Sequence, residues 1–157
     1  MATLGNRPDL FPGSEYVGKY TEPPEGYEVP REYLDDETFA AILSEAEKYI
    51  GYPYVWGGSS PATSFDCSGY VSWVINHSGW NVGRLGAQGL YNICTPTSNP
   101  QPGDLVFFKG TYDTPGVSHC GIYVGDNKML HCGDPIGYAN LNTSYWQSHF
   151  YAYGRLP

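Results

Sequence analysis

The sequence predicts a single globular domain with helices in its first half and antiparallel strands in its second, on three observations. A helical apolar period runs from Phe39 to Ile50, and a second one follows Cys67. After residue 100 the apolar runs shorten to strand length and are punctuated by Gly-Asp turns. The third observation is size: 157 residues with 41% hydrophobic content can bury one good core.

Composition narrows the function classes. The formal charge is −8 with only eight Lys and Arg, which argues against nucleic acid, because binding phosphates needs a basic surface. Charged residues make up 15% of the chain while Tyr, Trp and Gly are abundant, a composition common in secreted proteins that handle carbohydrate or wall material. No run approaches the ~18 apolar residues of a membrane span, so no membrane insertion is expected, and the first residues lack the pattern of a signal peptide. The four cysteines match neither a dense disulfide framework nor a Cys-x-x-Cys metal knuckle.

Residues 1–35 are rich in Pro, Gly, Glu and Tyr without a sustained period, and read as a linker or surface arm ahead of a domain over residues 36–157. Asp35-Asp36-Glu37 supply a cap and first-turn acids for a helix that puts Phe39, Ile42, Leu43, Ala46, Tyr49 and Ile50 on one face and ends at Gly51. A Gly- and Ser-rich loop, Gly57 to Ser64, leads into Phe65-Asp66-Cys67, after which Tyr70, Val71, Val74 and Ile75 recur at helical spacing up to Gly79. The stretch from Gly79 to Pro102 is turn-rich, with a short helix around Ala87 to Ile93. Leu105 to Phe108 is a strand, Ser118–Val124 and Lys128–Cys132 form a hairpin around Gly125-Asp126-Asn127, and Phe150 to Gly154 is the last strand.

Cys67 is the candidate nucleophile. In the first turn of its helix, unpaired backbone N–H groups and the helix dipole favour the thiolate, the reactive form of a group that otherwise titrates near ~8.5. Thiol catalysis also needs a base and a third group that fixes the base's tautomer. His119 and His131 lie equidistant from Gly125, so a bulge or an odd loop would make them face each other across the hairpin. A plain two-residue loop would put them on opposite faces. His119 is taken as base and His131 as the orienting residue. His77 and His149 read as structural or exposed residues without partners.

Other residues carry two readings each. Cys120 and Cys132 neighbour the histidines, but adjacent residues on a strand point to opposite faces, so a four-ligand zinc cluster is awkward and no metal is expected. The same register sets the two cysteines opposite each other on the reverse face, within disulfide reach, although a packed face favours buried thiols. Asp66 and Ser68 are either capping residues or cleft lining. Tyr54 is either a core aromatic or a hydroxyl aimed at the developing oxyanion beside the backbone N–H of Cys67.

Five segments resemble, in order, the successive motifs of the NlpC family of cell-wall cysteine peptidases: Tyr54-Val-Trp-Gly-Gly, Phe65-Asp-Cys-Ser-Gly, Pro102-Gly-Asp-Leu-Val-Phe-Phe, Ser118-His-Cys-Gly-Ile-Tyr-Val-Gly and Met129-Leu-His. The resemblance covers about residues 36–157, including Tyr145-Trp146 and Tyr153-Gly-Arg155. It implies a papain-like α+β fold, with an antiparallel sheet against the nucleophile helix. It also implies hydrolysis of peptidoglycan stem peptides at the γ-D-glutamyl to diamino-acid bond, without a cofactor, in an extracellular or cell-wall setting of bacterial, phage or mobile-element origin. By motif match Cys67 is the nucleophile, His119 the base and His131 the third polar member. Tyr54 assists the oxyanion, while Asp66 and Ser68 touch substrate. Cys120 departs from the pattern, which has an apolar residue there. The arm does not look like the SH3-like or glycan-binding modules that often accompany such domains, and an additional wall-binding or lytic domain in a longer native chain is expected. The rival readings are an amidase or acyl transferase using the same dyad, and a non-catalytic wall-binding module.

Overall fold

The computed structural model describes residues 26–157, so most of the arm expected over residues 1–35 lies outside the described residues. Its described end forms a short 3-10 turn, Arg31–Asp35. Just before and within that turn, the hydroxyls of Tyr27 and Tyr33 donate to the Asp126 carboxylate at 3.0 and 2.8 Å. The segment is thereby tied to the tip of the predicted hairpin.

Helix α1, Glu37–Glu47, begins where Asp36 accepts hydrogen bonds from the backbone N–H groups of Thr38 and Phe39, as expected of an N-cap. Phe39, Ile42, Leu43 and Ala46 are buried, but Ile50 is 40% exposed, which corrects the expected helix face. The α-helix stops before Lys48 and the chain tightens, with Lys48, Tyr49 and Ile50 donating to carbonyls three residues back. That tighter winding swings Ile50 off the apolar stripe, before Gly51 turns the chain at φ +95°.

The loop ahead of Cys67 holds a minimal hairpin, β1 (Ser59–Ser60) with β2 (Ser64–Phe65). Helix α2, Cys67–Asn76, is buried on almost every side, with only Trp73 and Asn76 less than fully buried. Such a helix belongs in the middle of a molecule. Its first turn tolerates nothing larger than glycine at position 69: a Cβ there would sit 2.0 Å from the carbonyl oxygen of Gly58. The glycine lets the preceding loop lie directly on the helix start. Helix α3, Ala87–Ile93, matches the predicted short helix.

Six strands form one sheet in the order β3 (Thr95–Thr97), β8 (Phe150–Arg155), β4 (Leu105–Lys109), β5 (Val117–Gly125), β6 (Lys128–Cys132) and β7 (Ile136–Asn140). Every neighbouring pair is antiparallel. A last helix, α4, spans Ser144–His149. Phe107 packs on Tyr91 of α3 and its neighbour Phe108 on Trp146 of α4. Because successive residues of a strand point to opposite faces, α3 and α4 cover opposite sides of the sheet. Helix α2 packs on the same central strands, β5 and β6.

The hairpin turn decides where the histidines go. Asp126 and Asn127 form a two-residue turn with φ of 54° and 59°, between paired residues Gly125 and Lys128. A bulge then shifts the register between Tyr123 and Gly125, so that Ile122 pairs with Leu130. Continued along the ladder, this register sets Cys120 opposite Cys132 and Gly121 opposite His131. The bulge thus keeps His119 and His131 on one face, but they lie on a diagonal rather than directly across from each other. Gly121 leaves that diagonal open: a Cβ there would meet Met129 Sδ at 2.7 Å and His131 Cβ at 3.1 Å.

Candidate active site

Cys67 is the first residue of α2, and Asp66 is its N-cap, accepting the N–H of Gly69 at 2.7 Å. The Cys67 thiol is nearly buried and lies 3.9 Å from the carbonyl oxygen of Ser118, one residue before His119. The helix start therefore lies against β5 one residue from His119.

The His119 ring is fully buried, and its Nε2 lies 2.9 Å from Nδ1 of His131. Burial, and next the neighbouring His131, hold His119 well below the ordinary imidazole value. Burial alone pushes His131 down to about 3. Both rings are neutral at physiological pH. The diagonal contact engages His119 through Nε2, so Nδ1 lies on the other side of the ring.

Asp66 and Ser68 sit in a polar cluster at the same helix start. Both Asp66 oxygens accept from Nη2 of Arg84 at 2.9 Å, and Nη1 of Arg84 donates to Ser68 Oγ at 2.7 Å. Asp66 also accepts the backbone N–H of Gly57 at 3.1 Å. Asp66 is thus a cap and a cluster member at once. Tyr54 is buried, pairs by a backbone bridge with Phe65, and donates its backbone N–H to Asp134 Oδ1 at 3.0 Å. That bridge sets it beside the residue two positions upstream of Cys67. Across from it Trp56 and Tyr112 meet edge to face, with centroids 5.3 Å apart. Burial and then the proximity of Cys67 raise the Tyr112 hydroxyl, which locates that ring beside the thiol.

Cys120 and Cys132 are free, fully buried thiols. They turn to the carbonyls of Cys67 at 3.8 Å and Phe65 at 3.2 Å. His77 and His149 correct the expectation that they lack partners. His77 stacks on Trp73 and its Nδ1 lies 2.8 Å from that residue's carbonyl, while His149 Nδ1 lies 2.8 Å from the carbonyl of Lys109. Both partners are structural. Among the described residues no three His, Cys, Asp or Glu side chains gather as a metal site, and no helix is long and apolar enough to cross a membrane.

The sequence profile of the NlpC/P60 family matches residues 51–155, about two thirds of the chain. The chain belongs to the NlpC/P60 family. A solved Staphylococcus aureus structure, described as similar to a lipoprotein of the NLP/P60 family, aligns with a TM-score of 0.74 and 40% identity. The match covers 91% of this chain and 48% of that one. The fold is accordingly the papain-like α+β fold of NlpC/P60 domains. Among curated Bacillus subtilis relatives, the bifunctional muramidase/DL-endopeptidase CwlT is 41% identical over 121 residues, which are 75% of this chain and 36% of that protein. The probable peptidoglycan endopeptidase LytE is 39% identical over 110 residues, 69% of this chain and 32% of that protein. The chain therefore spans about a third of the length of these relatives.

Two residues of this NlpC/P60 site were not legible in the sequence as members of it. Arg84 lies in a turn-rich stretch without period, and only tertiary folding brings it to Asp66 and Ser68. Trp146 was legible as part of a motif but not as a neighbour of the imidazoles. Its ring stacks on His119 and meets His131 edge-on.

Proposed function

We propose that this domain hydrolyses peptidoglycan stem peptides at the γ-D-glutamyl to diamino-acid bond, with Cys67 as nucleophile, His119 as its base and His131 as the residue that orients that base. The observation that carries the reading is the 2.9 Å contact between His119 Nε2 and His131 Nδ1, on a strand whose neighbouring carbonyl touches the Cys67 thiol. The names of CwlT and LytE support the reaction class.

The chemistry follows from the tautomers. For His119 to take the thiol proton at Nδ1, its Nε2 must carry hydrogen and donate to His131 Nδ1, so His131 carries its own hydrogen on Nε2. His131 stays neutral down to about 3, so its Nδ1 remains an acceptor throughout the working range. The Cys67 sulfur attacks the carbonyl carbon and a carbon–sulfur bond forms. The oxyanion is met by the Cys67 backbone N–H and by Tyr54. The carbon–nitrogen bond then breaks as His119 returns its proton to the leaving amine. Water, deprotonated by the same ring, releases the acyl group and regenerates the thiol. Asp66 and Ser68, held by Arg84, contact the substrate beside the scissile bond. No cofactor enters the reaction.

The domain of residues 36–157 acts at the cell wall outside the cytoplasm, and the greater length of its relatives supports a partner domain for wall binding or lysis in a longer protein. Incubation with purified muropeptides of diaminopimelate and lysine types, followed by mass spectrometry, tests the reading against a Cys67→Ala control. Cys67-dependent cleavage after D-glutamate supports it. Release of intact stem peptide from muramic acid would make the domain an amidase instead, and binding without any cleavage would make it a wall-binding module.

A further inference from the structure

In the proposed reaction His119 becomes a cation in both halves of the cycle, yet it is buried and its hydrogen-bond partner is a neutral imidazole. His131 accepts a hydrogen bond but contributes no opposing charge. Burying a cation is costly even beside the sulfur that gave up the proton, and the face of a neighbouring aromatic ring lowers that cost. The indole of Trp146 lies in the right place. Its centroid is 5.4 Å from that of His119, with the planes only 23° apart, so it presents its face to the ring that gains the proton. Against His131 the same indole lies edge-on, at 5.3 Å and 86°. The negative face of an indole within about 6 Å attracts a cation, and Trp is the strongest such partner among the side chains.

We propose that Trp146 is a positioning residue of the catalytic pair, whose indole face fixes the His119 ring and stabilises it when protonated. The proposal rests on the assignment of His119 as the base of Cys67. Trp146 is held from its own helix rather than from the hairpin: Thr143 caps α4 by accepting the Trp146 N–H at 3.3 Å, and Gln147 ties the helix to the carbonyl of Leu141 at 2.8 Å. It is 7% exposed and also packs on Phe108, at 4.7 Å between centroids. The ring is therefore a wall built independently of the histidines it faces.

Other titratable groups surround the pair. Cys67 comes from α2, Cys120 from β5, His131 from β6, and Tyr112 from the loop before β5. Asp66 is neutralised by Arg84, and Asp134 is engaged by the backbone of Tyr54. On α4 itself Tyr145 meets Trp146 edge to face, and His149 is tied to the carbonyl of Lys109. Of these contacts only that of Tyr145 involves the Trp146 ring, so replacing it by a smaller ring leaves the ion pair and hydrogen bonds of the others in place.

The test is the pH dependence of Cys67 alkylation by iodoacetamide, with the site identified by peptide mass spectrometry, in the full chain and in its Trp146→Phe and Trp146→Leu variants. If the indole face stabilises the imidazolium, the pH at half-maximal rate rises in the order Trp, Phe, Leu, by about one pH unit for Leu. The muropeptide kcat falls in the same order with KM little changed. Melting curves establish which variants are folded. Should the Leu variant unfold, folded Trp146→Phe decides alone, and a midpoint equal to that of the parent overturns the proposal. A shifted alkylation profile in a protein that cleaves no muropeptide supports Trp146 while refuting the endopeptidase reading. A profile unchanged by His119→Ala overturns both.

Discussion

The two faces of the β5–β6 hairpin are built from adjacent residues and are equally buried, yet they differ in what their polar atoms do. On one face His119 and His131 bond to each other at 2.9 Å under the indole of Trp146. On the other, Cys120 and Cys132 each turn to a backbone carbonyl of the segment entering α2. Hydrogen bonding to the Cys67 thiol, and then burial, push Cys120 well above the usual thiol value, while burial leads for Cys132. These two thiols stay protonated and inert. Burial therefore does not separate site from core here. The difference lies in partners: the imidazoles bond to each other, whereas the thiols plug the floor beneath a helix start.

Substitutions on the two faces should differ by orders of magnitude, and the largest effect belongs to the reacting pair. Cys67→Ala and His119→Ala should each lower kcat/KM for muropeptides by ~10⁴-fold or more, and the double variant should be scarcely worse than either. Steady-state kinetics on all three checks this. His131→Ala, which removes only the acceptor, should cost ~10²-fold, with kcat rather than KM carrying the loss.

The same face should govern stability at acid pH. Both histidines are held below 6.5 in the folded protein, so the unfolded chain binds protons that the folded chain refuses. Their contribution is intact above about 6.5 and is lost as pH falls towards about 3, where His131 itself protonates. Urea unfolding across this window should show a shallower decline for His131→Asn than for the parent. A smaller effect is expected at the helix start, where Arg84→Ala should raise KM by ~10-fold and leave Cys67 alkylation unchanged. The smallest belongs to the thiol face: Cys120→Val should alter stability by about 1 kcal/mol or less and leave activity intact. A large loss of activity in Cys120→Val would end the contrast between the faces.

Much of this was legible in the sequence because it depends on short spacings. The start of α2 at Cys67, the helix at Ala87–Ile93 and the strands flanking Gly125 all follow from local period and turn residues. The shared face of the histidines was legible only as a condition, since a bulge leaves no mark in the count of residues and its position decides the pairing. Strands β3 and β7 escaped because three residues around Pro96 and five containing Gly137 carry too little β character of their own; neighbours in the sheet recruit them. Arg84 and the stacking of Trp146 depend on contacts across 16 or more positions of chain, which no local pattern records.

Asp66 joins three tasks in one carboxylate: it caps α2 through Gly69, anchors the Gly57 loop and grips Arg84. Anyone redesigning this domain for a different peptide would find that position closed, because altering this carboxylate also removes the cap from the first turn at Cys67. New selectivity would have to be written elsewhere, as on Tyr112, whose ring lies beside the thiol and meets Trp56 edge to face.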